Sequence, residues 1–515
     1  MTDSPTLLSE ILKQVTPKRT ALSKSTSIRI VIVIAFGFAI IVFTCGVFFI
    51  VNSPTNNPST WFRNIDLTQS HFSVVFSRFF PNVSTASSQL TQSPGSEVFS
   101  MQYSPDDSHG GGFNNGSSTE GNNNDNSHVD RSEIVMFSPL RNWTDLMKEL
   151  NMSEASLNEL QHCDFFDGHW IKDHSYPLYE PGTCPHIDEP FDCFHNGRPE
   201  FGYESFKWKP KGCNIPRFDG EMMLEVLRGK RLIFVGDSLN RNMWESLVCL
   251  LRNSVKDKER VFEASGKMEF RSDGFYSFIF ADYNVSVEFV RSIFLVQEWE
   301  MADKSGSKKE TLRLDLIEST VDCYKTADVL IFNTGHWWTH EKTSEGKGYY
   351  QEGSHVYSEL DVAEAFRKAM TTWSRWIDAN LNPNTTQVFF RGYSLSHFSG
   401  GQWNSGGQCD NETQPIKDEK YLLEYPPLPI ISMLERVMMG MKTPVFYMNI
   451  TRMSDFRKDA HPSIYAKANL TDEERRSPDT YQDCSHWCLP GVPDSWNEIL
   501  FTQLLIKHIM QLKQQ

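Results

Sequence analysis

Short apolar runs that alternate with amphipathic segments dominate the chain from about Cys163 to its end. The apolar runs predicted to be buried strands are Arg231–Val235, Val329–Phe332, Val388–Arg391 and Val445–Asn449. The segments with helical spacing are Arg241–Arg252, Val362–Ile377 and Asn497–Leu512. Strands that alternate with helices are typical of α/β proteins. The sequence therefore predicts an α/β sandwich with a mostly parallel central sheet over residues 159–515.

An uncharged apolar run, Ile30–Val51, precedes this body. A helix needs roughly 20 such residues to cross a bilayer. Basic residues lie before the run, at Lys13, Lys18, Arg19, Lys24 and Arg29. Because positive flanks stay cytosolic, we predict a cytosolic tail at 1–29 and a type II transmembrane signal anchor at 30–51. A cleaved signal peptide is the alternative, but the run is long and lacks a clear small-residue cleavage site.

Residues 52–158 are rich in Ser, Asn and Gly. Such a segment buries too little apolar surface to offset its ordering entropy, which predicts a flexible, disordered stem. Many Asn-x-Ser/Thr acceptors suit a glycoprotein of the secretory pathway. They lie at Asn82, Asn115, Asn142, Asn151, Asn284, Asn384, Asn411, Asn449 and Asn469.

Of the ten cysteines, Cys45 lies inside the apolar run and the others follow it. Beyond the predicted membrane, disulfides can form. Because that leaves an odd number, one thiol should stay free, and we expect it to be Cys323, which stands alone in mid-chain. Zinc is the alternative for Cys484 and Cys488, but no partner cluster with zinc-like spacing accompanies them, so no metal is expected.

The formal net charge of −15 argues against a nucleic-acid partner, because phosphate binding needs clustered Lys and Arg. It leaves acidic polysaccharides open, since a local basic groove can lie on an acidic surface. The 13 tryptophans can serve as platforms for sugar rings, although most tryptophans belong to the core.

The run RLIFVGDSLNRNMWESLVCLL begins at Arg231 and places Ser238 in a tight turn between a strand and a helix. A serine there projects above the carboxyl edge of the sheet, where open α/β folds bind ligands. Its backbone N–H and the helix N-terminus favour developing negative charge. We therefore predict that Ser238 is a nucleophile; the alternative is that Asp237 or Ser238 only caps the helix.

A serine nucleophile needs a base and an acid that orients the base. Asp483 and His486 are three residues apart, so one carboxylate can hold one imidazole. Cys484 and Cys488 are expected to staple this loop to the body. The rival histidines are His336, His397 and His461, and His486 is preferred over them.

Several further motifs, taken with these, resemble the plant trichome birefringence-like family. They are CDFFDGHWIKD, YPLYEPGTCP, FKWKPKGCNIPRF, VGDSLNRNMWESL, FNTGHWW, FSGGQWNSGGQC and DCSHWCLPGVPDSWNEIL. The resemblance covers about Cys163 to the C-terminus, and the anchor and stem also fit. It implies an SGNH/GDSL-esterase-like fold, polysaccharide O-acetyltransferase activity, and a Golgi membrane protein whose catalytic domain faces the lumen.

Carried over to this chain, the family pattern assigns Ser238 as nucleophile, His486 as base and Asp483 as orienting acid. By analogy with the wider esterase group, the backbone N–H of Ser238 or the side chain of Asn333 forms the oxyanion hole. The cysteine spacing suggests the pairs Cys163–Cys213 and Cys184–Cys249. It leaves Cys193, Cys409, Cys484 and Cys488 to pair among themselves, since sequence alone does not give the connectivity.

The resemblance implies acetyl transfer through an acyl-serine onto a cell-wall polysaccharide, with pectin slightly favoured and xylan next. No cofactor motif is present, so an acetyl donor of unknown identity, or a membrane protein that supplies it, is the expected partner. A substrate groove is predicted from Lys207, Lys209, Lys211, Arg217 and Trp337, with a solvated charged loop as the alternative. The alternative functions are a polysaccharide acetylesterase and a non-catalytic pectin-binding protein that bridges wall polymers.

Overall fold

The computed structural model describes residues 142–271, 274–302, 308–417, 428–477 and 481–515. The predicted anchor at 30–51, the tail before it and the stem up to residue 141 lie outside these ranges. Among the described residues, no helix is both long and apolar enough to cross a membrane.

The strands, in chain order, alternate between those of a large central sheet and those of two small sheets. They are β1 Gly168–Lys172, β2 Phe206–Pro210, β3 Arg231–Gly236, β4 Val261–Glu263, β5 Phe275–Phe280, β6 Val285–Arg291, β7 Val296–Ala302, β8 Lys308–Ile317, β9 Val329–Phe332, β10 Tyr350–Glu352, β11 His355–Val356, β12 Gln387–Arg391 and β13 Val445–Met448.

The central sheet has the order β13-β12-β9-β3-β6-β5-β4. Pairing is parallel from β13 through β6, and the β6–β5 and β5–β4 pairs are antiparallel. The predicted mostly parallel sheet is therefore confirmed. The chain leaves β3 toward the β4–β6 side of the sheet, and after β6 it crosses to β9 on the other side of β3. The carboxyl end of β3 therefore lies at a topological switch point, where open α/β sheets form their binding crevice.

The helices lie on both faces of this sheet or at its ends. They are α1 Trp143–Glu149, α2 Glu154–Gln161, α3 Gly220–Val226, α4 Ser238–Ser254, α5 Val321–Tyr324, α6 Val362–Asn380, α7 Pro429–Met439, α8 Thr451–Asp455, α9 Asp472–Arg475 and α10 Val492–Gln514.

Alternate side chains of β3 enter two separate cores, because successive residues of a strand point to opposite faces. Leu232 and Phe234 pack with α3, α4 and α10 on one face. Ile233 and Val235 pack with α6 and α7 on the other. A strand buried on both faces reads as a continuous apolar run, which explains the sequence signal at β3.

The two small sheets flank this sandwich. Strands β1 and β2 form an antiparallel pair, and the order of the other sheet is β11-β10-β8-β7. The indole N–H of Trp170, on β1, donates to the carbonyl of Met453 at 2.7 Å and so ties the hairpin to α8.

The predicted stem extends too far toward the C-terminus. Its residues from 142 to 158 include α1 and the start of α2, whose first turns are capped by the side chains of Asn142 and Ser153. Leu146 and Leu157 of these helices are buried in the same core as α10. The folded body therefore includes residues that the stem prediction placed outside it.

Four disulfides cross-link the described body. Two are the predicted pairs Cys163–Cys213 and Cys184–Cys249. The others are Cys193–Cys488 and Cys409–Cys484, and Cys323 is a free, exposed thiol, as predicted. With Cys484 and Cys488 both in disulfides, the alternative zinc site at this pair does not form.

Candidate active site

The turn between β3 and α4 places Ser238 at the carboxyl edge of the sheet. Asp237 is the N-cap of α4, and its carboxylate accepts a hydrogen bond from the Leu239 N–H at 3.0 Å. Gly236 is required here, because a Cβ at this position would lie 1.9 Å from the side-chain oxygen of Asn333. Asp237 therefore does cap the helix, while the Ser238 hydroxyl is left for another partner.

That partner is His486. The Ser238 Oγ lies 2.7 Å from His486 Nε2, and His486 Nδ1 lies 2.7 Å from Asp483 Oδ2. The other carboxylate oxygen of Asp483 accepts the backbone N–H groups of Ser485 and His486, at 3.1 and 3.0 Å. The structure thus joins the predicted Ser238, His486 and Asp483 in one hydrogen-bonded chain.

Asp483 is held as a carboxylate. Burial alone would raise its pKa, but the His486 ring and the two backbone N–H donors keep the pKa well below its usual range. An ionised Asp483 can only accept, so His486 Nδ1 carries the proton and Nε2 presents its lone pair to the Ser238 hydroxyl. This is the tautomer that general-base catalysis requires.

Asn242 brackets the His486 loop against α4. Its side chain donates to the Trp487 carbonyl at 3.0 Å and accepts the Trp487 N–H at 2.9 Å. Because Asn242 is one turn after Ser238, the same helix face fixes both the nucleophile and the loop of the base. Sequence reasoning missed this residue, although its position four residues after Ser238 was a usable signal.

Two of the rival histidines, His461 and His397, form a hydrogen-bonded chain that ends at the backbone carbonyl of His486. His461 Nδ1 lies 2.7 Å from the His486 carbonyl, and His461 Nε2 lies 2.7 Å from His397 Nδ1. His397 Nε2 in turn faces Asp455, at 3.1 Å from its carboxylate. Since a carbonyl can only accept, His461 Nδ1 is the donor there, and burial lowers the pKa of His461 well below its usual value.

His336, the third rival, lies beside the cap rather than beside Ser238. Its Nδ1 is 3.8 Å from Asp237 Oδ2, and its ring stacks on Tyr393 at 4.2 Å. Burial lowers the pKa of His336 to about 4. Arg391, 1% exposed, approaches the other side of Asp237 at 3.8 Å. Despite burial, the pKa of the Asp237 carboxylate is lowered, because the positive charge of Arg391 and the hydrogen bonds from Asn333 and the Leu239 N–H favour its charged form.

Asn333 supports the turn. It is 1% exposed, its Nδ2 donates to Asp237 Oδ1 at 2.7 Å, and its Oδ1 accepts the Asp237 N–H at 3.0 Å. With both ends of its amide engaged by Asp237, this geometry gives the predicted oxyanion role of Asn333 no support. The backbone N–H of Ser238 sits in the first turn of α4 and finds no acceptor among the described residues.

The predicted basic groove of Lys207, Lys209, Lys211 and Arg217 stays a prediction. Lys207 and Lys209 lie on β2, Lys211 pairs with Asp167 at 3.1 Å, and Arg217 binds the Ser175 hydroxyl at 2.7 Å. Among the described residues, no hydrogen bond or ion pair joins these cations to Ser238, His486 or Asp483. Trp337 directly follows His336, whose ring lies beside the cap of α4.

In the described ranges, no group of three or more His, Cys, Asp or Glu side chains is arranged to hold a metal ion. The arrangement that is present, a hydroxyl bonded to an oriented imidazole, is suited to acyl transfer through a serine ester.

Comparisons with known proteins identify the family of the chain. Residues 215–503 match the GDSL/SGNH-like acyl-esterase family found in Pmr5 and Cas1p, and residues 161–214 match the PMR5 N-terminal domain. The chain belongs to this family. That membership supports acyl transferase or esterase activity and is consistent with the mixed α/β fold observed.

Relatives from Arabidopsis thaliana include Protein trichome birefringence, 62% identical over 371 residues. Protein trichome birefringence-like 1 is 64% identical over 351 residues, and Protein trichome birefringence-like 4 is 56% identical over 359. The three alignments cover 72%, 68% and 69% of this chain. They cover 60% and 63% of the first two relatives, and 78% of the third. The predicted resemblance to trichome birefringence-like proteins is thereby confirmed.

Proposed function

We propose that the protein is an O-acetyltransferase that moves an acetyl group through an acyl-Ser238 intermediate onto hydroxyls of a cell-wall polysaccharide. The observation that carries this proposal is the 2.7 Å contact between Ser238 Oγ and His486 Nε2, with His486 oriented by Asp483. Membership of the acyl-esterase family supports the reaction class.

In the first half-reaction, His486 Nε2 takes the proton of the Ser238 hydroxyl while Oγ attacks the acetyl carbonyl carbon of the donor. The tetrahedral oxyanion is placed to accept from the Ser238 backbone N–H at the start of α4. Collapse breaks the bond to the leaving group, which takes the proton from His486, and leaves acetyl on Oγ.

In the second half-reaction, a sugar hydroxyl attacks the same carbonyl carbon and gives its proton to His486 Nε2. Collapse releases the acetylated polysaccharide and returns the proton to Ser238 Oγ. Asp483 stays ionised throughout and stabilises the imidazolium that forms in each half. An acceptor that fills the site and excludes water favours transfer over hydrolysis.

We place pectin ahead of xylan as the acceptor. The acetyl donor, or a membrane protein that supplies it, is the second partner. The apolar run at 30–51 and the preceding basic residues support a single-pass type II protein of the Golgi membrane with the folded body in the lumen. Protection of the body from protease in sealed Golgi vesicles tests this topology.

A polysaccharide acetylesterase is the second candidate, because the same triad with water as acceptor performs hydrolysis. To distinguish the transferase from the acetylesterase, the full chain is incubated with an aryl acetate and de-acetylated pectin or xylan. The mass of the peptide that contains Ser238 is then measured by mass spectrometry. Acetyl that appears on Ser238 and then on one polymer supports the transferase and identifies its acceptor.

Acetyl released only to water supports the esterase instead. A Ser238→Ala chain that binds pectin, with no Ser238-dependent chemistry in the wild type, would support a non-catalytic bridging protein. Asn253→Ala, on the same helix but remote from the site, is the matched control and should keep wild-type acylation.

A further inference from the structure

Two sequence motifs that the triad does not use each place a tryptophan beside the same ammonium group. FNTGHWW supplies Trp337, and FSGGQWNSGGQC supplies Trp403. The Lys342 Nζ lies 4.5 Å from the centre of the Trp337 ring and 5.3 Å from that of Trp403. We refer to Trp337, Lys342 and Trp403 as the clamp.

The Trp403 loop is built tightly and is tied to the catalytic loop. Ser399 and Gln408 exchange two backbone hydrogen bonds of 2.9 Å, which close the loop at its base. A Cβ at Gly401 would lie 2.4 Å from the Ser405 carbonyl, so the turn admits only glycine there. Cys409, which follows Gln408, forms the disulfide with Cys484, and Cys484 directly follows Asp483. Trp403, 40% exposed, is thereby presented to solvent from a loop fixed to the catalytic loop.

The other side of the clamp is connected to the nucleophile. Trp337 follows His336, whose Nδ1 lies 3.8 Å from the carboxylate of Asp237, the residue before Ser238. The Lys342 ammonium also donates to the His336 carbonyl, at 3.4 Å. One tryptophan is therefore tied to the Ser238 turn and the other to the Asp483 loop, which places the clamp beside the triad.

Lys342 retains donors for an anion. An ammonium has three N–H donors, and among the described residues the His336 carbonyl is its hydrogen-bond acceptor. Burial lowers the pKa of Lys342, and the nearby carboxylates of Asp237, Glu341 and Asp483 oppose this shift without reversing it. A carboxylate that binds here would stabilise the charged form of Lys342 and use its free N–H donors. A half-buried charge is costly unless it is paired.

We propose that the clamp is an acceptor subsite for a hexuronate residue of an acidic polysaccharide. The Lys342 ammonium binds the uronate carboxylate, and the exposed Trp403 ring packs against the apolar face of a sugar ring. This inference rests on the proposed function, since it supplies the acceptor that the acyl-serine would meet. It also gives Lys342 and Trp403 a part in the acidic-sugar recognition that the sequence predicts for Lys207 and Lys209.

The alternative role for Lys342 is purely structural, with its cation bridging two aromatic loops. The two roles differ in charge selectivity. A structural bridge supports any acceptor equally, whereas a uronate subsite distinguishes an oligogalacturonide from its methyl ester, in which the same sugar rings carry no charge.

The test measures binding, so that it does not depend on catalysis. The full chain with Ser238→Ala is titrated by calorimetry with an oligogalacturonide and with its methyl-esterified form. The same titrations are made with Lys342→Met, Lys342→Arg and Trp403→Ala added. Lys347→Met is the matched control, because Lys347 is a nearby exposed lysine paired with Glu345 at 3.0 Å.

Lys342→Met should weaken oligogalacturonide binding about tenfold or more, as expected for loss of a charged hydrogen bond, with little effect on the methyl ester. Lys342→Arg should restore part of the loss, Trp403→Ala should weaken both ligands, and Lys347→Met should weaken neither. Equal loss of both ligands, or of neither, on Lys342→Met overturns the subsite. Failure of Ser238-dependent acetyl transfer in the wild type would instead count against the proposed function and leave these binding results standing on their own.

Discussion

Replacement of Asp483 by Asn keeps the shape of the catalytic loop and changes the proton on His486. The side-chain carbonyl of Asn can still accept the N–H groups of Ser485 and His486, now at 3.1 and 3.0 Å from Asp483 Oδ1. Its amide group then faces His486 Nδ1 across the 2.7 Å contact. Two donors cannot share that contact, so Nδ1 must present its lone pair and the proton must move to Nε2.

A proton on Nε2 disables the base, because Nε2 is the atom that faces the Ser238 hydroxyl at 2.7 Å. A serine triad with the wrong imidazole tautomer loses roughly 10⁴-fold in kcat, or about 5.5 kcal/mol of transition-state stabilisation. We therefore expect Asp483→Asn to slow acetylation of Ser238 by about this factor while the protein stays folded.

Single-turnover acylation by an aryl acetate, followed by intact-protein mass, measures this step directly. Asp455→Asn is the matched control, since it makes the same change beside His397, and it should cost less than about tenfold because it acts only through the supporting chain. An Asp483→Asn enzyme that keeps more than about one hundredth of the wild-type rate would refute the tautomer argument.

Two further predictions concern stability. Burial raises the pKa of Asp494 from 3.8 to about 7. The folded protein therefore favours the protonated carboxyl, whose stabilising contribution is complete below about pH 4. This contribution, about 4 kcal/mol at most, is lost as the pH rises through 7. Asp494→Asn should therefore be more stable relative to wild type at pH 7.5 than at pH 4.5 in urea unfolding, and parallel pH curves would contradict this. Replacing Cys409 and Cys484 together by Ser opens a loop of 75 residues, which should cost about 4 kcal/mol in the chain-entropy model and lower the unfolding midpoint. An unchanged midpoint would show that the loop is held without its disulfide.

The local part of the site was predictable from sequence, because each signal lies within a few residues. The apolar run of β3 ends at Gly236, and the turn that follows must expose Ser238. Asp483 and His486 are close enough along the chain for one side chain to orient the other. What joins the two halves is long-range: Asn242 and Trp487 meet across the fold, and no local pattern marks Trp487 as its partner.

A buried charged side chain explains why one strand of the central sheet was not predicted from the sequence. β6 was not predicted, because Glu288 interrupts its apolar pattern; in the structure Glu288 is 2% exposed and pairs with Arg231 on β3 at 2.7 Å. The predicted stem extends too far for a different reason. Its average composition is polar, although its end contains two short amphipathic helices. The N-caps Asn142 and Ser153 were the local signals that mark their starts.

The two regions matched by the family comparisons act on one catalytic loop. Phe191, in the N-terminal region 161–214, packs on the His486 ring at 5.2 Å, and its carbonyl accepts the Leu489 N–H at 2.9 Å. Arg198 of the same region donates to the carbonyl of His461, at 2.9 Å, and so fixes the residue that in turn holds the His486 carbonyl. The disulfide Cys193–Cys488 adds a covalent link just after His486. The base is therefore positioned from outside the acyl-esterase region, so the N-terminal region is a structural part of the active site.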